Sequence, residues 1–402
     1  MTIRRLVLVV IVLLGIAGPG NNIAHAASLC VHPTGAGECF TSIQAAVDAA
    51  NAGDRIIIRT GKYIEQVTII DKDLTLVGQA GAVIQAPADM EDTQSPLIGI
   101  EGRPIILVSE AEVTIRDLTI DGANSAEANP FLEGIAFINA GGEIRDNLVE
   151  NIGFGEPRLP IIDGGPSYQG DAIFVVNFAG TPRTITVAKN RVVNYNNNGI
   201  LVDAEADPNN PTVANLTAHV VDNTVIGLGP NNVIDQWGIF LGGFGFADPQ
   251  FSITGTLRGN RIHDQVTMAP HPLPGVGIVT FNIYNVEIAD NEIENVSIGL
   301  AANQASSVQI KDNKISGPRQ DVTGSTGLLV SGRDIWINEN RFNKLEIGIL
   351  LLVEDPDLGS AVNTALDDNR FEDLAVDVLT GSVSLNAATA RTLRIWPKLP
   401  LH

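Results

Sequence analysis

The sequence predicts an all-β fold in which short parallel strands stack into one long coil, and three observations lead to this prediction. An apolar pattern that ends in Asn recurs eight times along the chain. A second mark, a small residue followed by an aliphatic one, recurs with the same regularity. Apolar residues within each unit alternate with a period of two, as in strands, and no helical pattern separates the units. Strands of one direction, repeated unit after unit, give a parallel solenoid.

The first 26 residues have the features of an export signal. Arg4 and Arg5 precede an apolar stretch of about a dozen residues, which is short for a membrane span. The segment ends in the small-x-small sequence Ala24-His25-Ala26, which is typical of a cleavage site. We therefore expect a mature protein that starts near Ala27, contains no membrane span, and is secreted, periplasmic or held at the cell surface.

Composition excludes several classes of protein. The 402 residues carry 25 Lys and Arg against 46 Asp and Glu, a formal net charge of −21, or −23 without Arg4 and Arg5. Such an acidic chain is a poor partner for nucleic acid or an anionic membrane. The apolar share of 44% excludes disorder, and two Cys residues exclude a disulfide scaffold or a Cys-rich zinc domain. Export favours a disulfide between Cys30 and Cys39; the alternative is a reactive thiol pair.

Both ends of a parallel coil are bare sheet edges that need a cover. Ile43, Ala46, Val47 and Ala50 lie at helical spacing, which predicts an amphipathic helix over residues 42–51 that covers the first coil. The last segment, 382–402, contains Trp396 and is predicted to cover the other end. The chain after the signal is thus expected to be a single domain, 27–402, with caps at 27–53 and at about 382–402.

The recurring Asn is predicted to lie inside each bend, one above another. Stacked amides both donate and accept hydrogen bonds, so a column of Asn can satisfy itself and the backbone of the bend. The shortest step between successive copies is 22 residues, so the basal coil has that length and longer steps contain loop insertions. The predicted ladder consists of Asn147, Asn190, Asn223, Asn260, Asn291, Asn313, Asn340 and Asn369.

The order of apolar strand, Asn bend, apolar strand, loop and Gly-aliphatic strand resembles the right-handed parallel β-helix of the pectin lyase-like superfamily. The opening run Phe40-Thr41-Ser42-Ile43-Gln44 and the run Gly53-Asp54-Arg55-Ile56-Ile57-Ile58 are similar to it as well. The resemblance covers roughly residues 38–385 and implies a right-handed β-helix of about ten coils with an N-terminal capping helix. Because the superfamily contains lyases, hydrolases, esterases, epimerases, adhesins and phage tailspikes, it implies a fold rather than an activity.

The resemblance also implies that a polysaccharide lies along the sheet that the long loops flank. Counting by alternation from the small residue, the second and fourth positions face outward on that sheet, and this stripe is unusually apolar. Phe174, Phe240 and Phe281 could stack on sugar rings, or the long loops could fold down and bury them. Trp237 at the edge of the groove and Tyr168 in a neighbouring loop complete the predicted substrate-binding set.

Two aspartates are catalytic candidates. Asp203 is the one charge on the outward stripe, and alternation places Val176 and Gly242 beside it rather than a second carboxylate. Asp171 falls on the preceding coil but five positions away along the strand, about 16 Å at 3.3 Å per residue. A hydrolase needs two carboxylates about 5–9.5 Å apart, so the sequence offers no such pair.

Two basic residues complete the catalytic candidates. His263 directly follows an inward residue and so points outward, where it is either a general base or simply solvated. Arg333 aligns with Glu354 on the next coil, which favours a surface salt bridge; a basic residue of this kind serves as the base of many superfamily lyases. The loops hold further candidates whose placement the strand register does not give: Asp163, Asp235, Asp248, Asp264 and His271.

The predicted activity follows from charge and resemblance. A polyuronate is an anion, so an acidic protein binds it only through a cation; otherwise the substrate is neutral. Acidic runs at 91–92, 203–207 and 354–357 could hold calcium. The Asp-Phe-Ile-Phe-Gly run of pectinesterases is absent. We therefore expect a protein that acts on a polysaccharide, with a calcium-assisted polyuronate lyase favoured over a hydrolase or pectinesterase. The alternative is a non-catalytic glycan-binding, adhesive or cell-envelope β-helix.

Overall fold

The structure is a computed structural model. It describes residues 26–94, 101–154, 170–178, 180–206, 215–231, 236–244, 253–267, 274–320, 322–352 and 361–381. The predicted signal segment up to residue 25 and the predicted C-terminal cap at 382–402 lie outside these residues. Within them, no helix has the length and apolar character needed to cross a bilayer.

The described part of the chain forms one helix, α1 (Ile43–Ala49), and 31 strands. The first strands are β1 (Ser28–Val31), β2 (Arg55–Ile58), β3 (Gly61–Ile64), β4 (Val67–Ile70), β5 (Leu74–Gly78), β6 (Ala82–Gln85), β7 (Thr93–Gln94), β8 (Glu101–Ser109), β9 (Glu112–Arg116) and β10 (Thr119–Asp121). The middle strands are β11 (Leu132–Ile138), β12 (Gly141–Arg145), β13 (Leu148–Ile152), β14 (Gly170–Asn177), β15 (Arg183–Ala188), β16 (Arg191–Tyr195), β17 (Asn198–Glu205), β18 (Leu216–Val221), β19 (Thr224–Ile226), β20 (Trp237–Phe244) and β21 (Ile253–Arg258). The last strands are β22 (Arg261–Gln265), β23 (Val276–Phe281), β24 (Ile283–Ala289), β25 (Glu292–Val296), β26 (Ile298–Lys311), β27 (Lys314–Ser316), β28 (Thr326–Asn338), β29 (Arg341–Leu352), β30 (Ala361–Asp367) and β31 (Arg370–Gly381).

Parallel pairing between successive coils arranges these strands in three stacks. The front sheet runs from β4 and β8 through β11, β14, β17, β20 and β23 into the first part of β26 and of β28. A second stack contains β12, β15, β18, β21 and β24, and a third contains β13, β16, β19, β22 and β25. The short β7 pairs with β8 in the antiparallel sense. The predicted all-β parallel coil is therefore confirmed.

The predicted Asn ladder is confirmed along its whole length. Asn190 Oδ1 accepts hydrogen bonds from the backbone N–H and the Nδ2 of Asn147, both at 3.1 Å. Asn223 Oδ1 accepts the same two bonds from Asn190 at 3.0 Å, and the pattern continues to Asn369. Each ladder amide also donates to a backbone carbonyl, as Asn223 does to Val187 at 2.8 Å. The ladder thus satisfies the buried bend without water.

The small residue of the second repeated mark is explained by close approach of the backbone. A Cβ at Gly238 would lie 2.5 Å from the carbonyl oxygen of Gly277 on the next coil and 2.5 Å from Ile262 Cγ2 in the core. Gly199 and Gly299 are equally restricted. Because real Cβ atoms do not approach so closely, the chain uses glycine where it bends into the front sheet.

The N-terminal cap forms as predicted. In α1, Ile43 and Val47 are buried against the first coil, and the Ser42 side chain accepts a hydrogen bond from the Ala45 N–H at 3.2 Å. Ser42 is therefore an N-cap, which satisfies a helix N–H that has no partner within the helix. Cys30 and Cys39 form a disulfide, as the sequence favours, with a Cα–Cα distance of 4.8 Å.

Candidate active site

The outward face of the front sheet carries a second apolar cluster, separate from the core inside the coil. Its members lie at the outward positions that alternation predicts. Phe174 is 6% exposed and Phe240 2%, so neither ring offers a face to solvent. Trp237 and Phe281 are half-buried and pack against the cluster. In this conformation the stripe is packed, and sugar stacking by Phe174 and Phe240 stays a prediction that needs their faces to be uncovered.

A row of polar side chains crosses this face one residue before the small residue of each coil. The alternation count starts at the small residue and so does not include this position. Glu133 and Asp171 are direct partners on β11 and β14, and Asn198 and Trp237 are direct partners on β17 and β20. Asp171 and Asn198 are joined by hydrogen bonds across the neighbouring strands. We call these four residues the acid row. Each stands directly before the small residue of its coil, so all four occupy one column of the coil.

Glu133 is a buried carboxyl group without a hydrogen-bond partner among the described residues. Its side chain is 6% exposed. Room for the carboxyl comes from Gly102 on the preceding coil, where a Cβ would lie 2.9 Å from Glu133 Oε1. Burial, together with the negative charge of Asp171, raises the pKa of Glu133 well above the usual 4.5. Glu133 can therefore keep its proton where an ordinary glutamate is ionised.

Asp171 is equally buried but is held by its neighbours. Its Oδ1 accepts hydrogen bonds from Asn197 Nδ2 at 3.1 Å, from the Asn198 N–H at 3.0 Å and from Asn198 Nδ2 at 2.9 Å. Burial raises the pKa of Asp171 to about 6, although these hydrogen bonds lower it. Above that pH, Asp171 is a carboxylate beside a protonated Glu133. This division of roles is the one that acid–base catalysis by two carboxyl groups requires.

The expectation that the sheet holds no carboxylate pair is therefore wrong. The predicted offset between Asp171 and Asp203 is correct, since Asp203 is the partner of Val176 on β14, five residues after Asp171. The partner of Asp171 is instead Glu133 on the coil before it. The signal was present in the sequence, because both acids stand directly before the small residue of their coils.

Asp203 belongs to a second acidic pair at the other edge of the front sheet. It lies between Val176 and Gly242, as predicted, and is 2% exposed. Burial, and the negative charge of Glu205 two residues further on, raise the pKa of Asp203 well above the usual 3.8. Burial raises the pKa of Glu205 to about 7. The two predicted catalytic aspartates therefore belong to separate pairs, Asp171 with Glu133 and Asp203 with Glu205.

Arg333 does not approach either acid pair. It begins the second-stack part of β28, where its Nε donates to Ser306 Oγ at 3.3 Å. β28 lies four coils beyond β17, about 19 Å at 4.8 Å per coil. The partner of Arg333 on the next coil is Val362, so its predicted alignment with Glu354, which lies outside the described residues, is wrong.

His263 faces outward on β22 in the third stack, away from the front sheet. Its Nδ1 lies 2.7 Å from Asp264 Oδ2. Burial works to raise the pKa of Asp264, but hydrogen bonds from Asn295 and His263 outweigh it and lower that pKa. His263 is therefore paired with an acid of its own stack and is not part of the acid row.

The remaining candidates add no metal site. Among the residues that the structure describes, no group of three or more His, Cys, Asp or Glu side chains is close enough to hold a metal ion. In the acidic run at 91–92, Asp92 forms an ion pair with Arg103. Calcium stays a prediction. The loop candidates outside the described residues are Tyr168, Asp163, Asp235, Asp248, His271 and the run at 354–357.

A scan against protein-family models and a search of the curated proteins each find no match. Solved structures do match. A GH136 lacto-N-biosidase from Eubacterium ramulus aligns with a TM-score of 0.55 at 11% identity, over 86% of this chain and 68% of that one. A mannuronic acid specific polysaccharide family 6 lyase from human gut microbiota gives 0.54 at 13%, over 89% and 77%. A polygalacturonase from Erwinia carotovora ssp. carotovora gives 0.53 at 12%, over 89% and 96%. These likenesses confirm the fold, a right-handed parallel β-helix.

Proposed function

We propose that this protein is an enzyme that cleaves a polysaccharide by hydrolysis, with Glu133 as the general acid and Asp171 as the base or nucleophile. The observation that carries the proposal is the direct pairing of the two buried carboxyl groups on β11 and β14. Their surroundings push their pKa values apart, which assigns the roles of acid and base. Three proteins of the same fold are named a biosidase, a lyase and a polygalacturonase, and these names support action on a glycan.

The chemistry needs only these two groups and water. Protonated Glu133 gives its proton to the glycosidic oxygen as the bond to the anomeric carbon breaks. Ionised Asp171 either attacks that carbon directly or takes a proton from the water that does so. Neighbouring parallel strands are about 4.8 Å apart, so the two side chains stand side by side on the sheet, close to the spacing of about 5 Å at which the second carboxylate acts as a nucleophile. Both acids are nearly closed to solvent, so groups around the row must move aside when a glycan binds.

The polyuronate lyase expected from the sequence is the second candidate. A carboxylate with a raised pKa, such as Asp171, can remove the proton next to a uronate carboxyl, and Glu133 can protonate the leaving oxygen. The family 6 lyase of the same fold favours this alternative. Against it stands the net charge of −21, which repels a polyuronate unless calcium neutralises the substrate. A non-catalytic glycan-binding, adhesive or cell-envelope protein is the third candidate, favoured by the apolar cluster on the outward face of the front sheet.

The test is a cleavage assay with two readouts. The mature protein is incubated with neutral and uronate polymers, with calcium or with a chelator, and both new reducing ends and unsaturated uronate are measured. We expect reducing ends without unsaturated product. Glu133→Gln and Asp171→Asn should each lower the rate at least about 100-fold. The control is Glu143→Gln, a surface glutamate of β12 paired with Arg145, which should leave the rate unchanged.

Each other result has a definite meaning. Unsaturated product that disappears with the chelator would establish the lyase and contradict hydrolysis. Full activity in both Glu133→Gln and Asp171→Asn would remove the acid row from the chemistry. No cleavage of any polymer, with binding intact, would favour the non-catalytic protein.

A further inference from the structure

Two members of the acid row have buried hydrogen-bonding atoms that nothing in the described part of the chain satisfies. These atoms are Asn198 Oδ1, an acceptor, and Trp237 Nε1, a donor. Asn198 is 2% exposed and Trp237 is half-buried. Native proteins rarely leave a buried polar atom without a partner, and such atoms cluster where a ligand or an ion belongs. Asn198 and Trp237 are direct partners on β17 and β20, so the two side chains leave neighbouring strands side by side.

Both side chains are held firmly by other contacts. The backbone N–H and Nδ2 of Asn198 both donate to Asp171, which holds the side chain, while its Oδ1 has no partner in the described part of the chain. The indole of Trp237 stacks on Phe240 with ring centroids 5.7 Å apart and planes inclined by 18°. Its position is therefore fixed by packing, while its N–H is available. The result is a preorganised acceptor and donor directly beside the acid pair.

The electrostatics of the row argue against a charged sugar. Burial raises the pKa of both Glu133 and Asp171, the charge of Asp171 raises that of Glu133 further, and hydrogen bonds from Asn198 and Asn197 lower that of Asp171. No described Lys or Arg is among the groups that shift either pKa. A uronate carboxylate here would face the negative Asp171 and the lone pairs of Asn198 Oδ1 without a counter-charge. A sugar hydroxyl, in contrast, can donate to Asn198 Oδ1 and accept from Trp237 Nε1.

We propose that Asn198 and Trp237 form a binding subsite for an uncharged sugar residue, so that the substrate is a neutral glycan. This inference rests on the proposed function, because it places the subsite beside the bond that Glu133 and Asp171 cleave. From Glu133 to Trp237 the row spans three strand spacings, about 14 Å, which is the length of a short oligosaccharide. The glycan then runs along the axis of the coil, one sugar residue for each coil.

The experiment measures binding separately from cleavage. The full mature protein carrying Glu133→Gln, which keeps the shape of the site, is titrated in a calorimeter with uncharged gluco-, galacto-, xylo- and N-acetylglucosamine oligosaccharides. Oligogalacturonate and oligomannuronate serve as the charged probes. We expect at least one uncharged oligosaccharide to bind and the charged ones not to bind.

The decisive variant is Trp237→Phe in the same background. Phenylalanine keeps a ring against Phe240 but lacks the N–H, so we expect the affinity for the uncharged ligand to fall about threefold to tenfold. Trp336→Phe is the matched control, since Trp336 is a 44% exposed residue of the second stack and should leave affinity unchanged.

The outcomes separate this inference from the proposed function. Binding of charged probes alone, binding of no probe, or equal affinity with and without the indole N–H would overturn the subsite. Neutral binding that depends on Trp237 in a protein that cleaves nothing would keep the subsite and refute the enzyme. Cleavage that depends on Glu133 and Asp171, with an affinity that Trp237→Phe does not change, would support the enzyme and refute the subsite.

Discussion

Glu133 and Asp171 are paired side by side on β11 and β14, yet only Asp171 receives hydrogen bonds. Burial acts on both carboxyl groups. The amides of Asn197 and Asn198 counteract it at Asp171 alone, so the pKa of Asp171 reaches about 6 while that of Glu133 is raised well above 4.5 without such relief. Two asparagines of the next coil therefore determine which of the two acids loses its proton first.

A bell-shaped dependence of kcat/KM on pH follows from this order. Activity requires Asp171 ionised, so it should rise as pH increases through about 6. It also requires Glu133 protonated, so it should fall again at higher pH as that carboxyl ionises. Rates measured on one neutral polymer across pH 4 to 9 check this. Asn197→Ala removes one hydrogen bond to Asp171, which raises the pKa of Asp171. The rise in activity should therefore shift to higher pH in this variant. A profile that falls steadily from pH 4 would contradict the assignment.

Removing the charge of Asp171 should stabilise the protein at neutral pH. The folded protein keeps the proton of Asp171 up to about pH 6, whereas the unfolded chain releases it near 3.8. Stability therefore falls as pH rises between these values, and the loss at neutral pH is about 3 kcal/mol. Asp171→Asn should melt above the parent protein at pH 7 and together with it near pH 3. Thermal unfolding followed by circular dichroism measures both; a variant that melts lower at pH 7 would refute the burial argument.

The centre of the Asn ladder should matter more than its end. Asn223→Ala leaves two buried donors of Asn190 and the carbonyl of Val187 without partners, which we expect to cost about 3–5 kcal/mol. Asn369 makes equivalent bonds at a half-exposed position, where water can replace it, so Asn369→Ala should cost about 1 kcal/mol. Urea unfolding of the two variants gives the comparison. Equal losses would mean that the ladder does not depend on burial.

A methyl group at Gly238 should destabilise the bend into the front sheet. Its Cβ would meet the Gly277 carbonyl and Ile262 Cγ2 at 2.5 Å, so the strand must shift, at a cost of about 1–3 kcal/mol. Ala172 shows that the same column accepts a methyl in one coil, and Ala172→Gly is the control, with a loss of about 1 kcal/mol or less. The midpoint of urea unfolding measures both changes. A Gly238→Ala protein as stable as the parent would show that the coils separate more easily than the contacts suggest.

The fold could be predicted from the sequence because its determinants are local and repeated. The ladder from Asn147 to Asn369 and the glycines at positions such as Gly238 each recur once per coil, so the repeat itself identifies them. The cap helix and the Cys30–Cys39 disulfide also follow from short spacings. Backbone geometry then fixes the register, and a count of positions gives the neighbours of Asp203 correctly.

The acid pair could not be found by that count because alternation restarts at the bend. Alternation from Gly134 covers only the residues after it, whereas Glu133 stands one residue earlier, next to the inward Leu132, and points outward. Burial and pKa depend on what lies over the sheet, which a strand pattern does not contain. A strand pattern also does not show the contact between Asp264 and Asn295 on the third stack. Both residues adopt positive φ, and Asn295 Nδ2 donates a hydrogen bond to Asp264 Oδ1.

The coil between Asn291 and Asn313 contains no loop insertion and begins and ends on ladder residues 22 positions apart. A unit with identical ends can be removed or duplicated as a cassette, because Asn291 would then meet another ladder amide in the same geometry. The molecule can therefore be lengthened or shortened in single steps of about 4.8 Å without a new design for its core. In the proposed substrate groove, a step of about 4.8 Å is close to the length of one sugar residue, so we expect variants with one coil more or one coil fewer to prefer a polymer that is longer or shorter by one sugar.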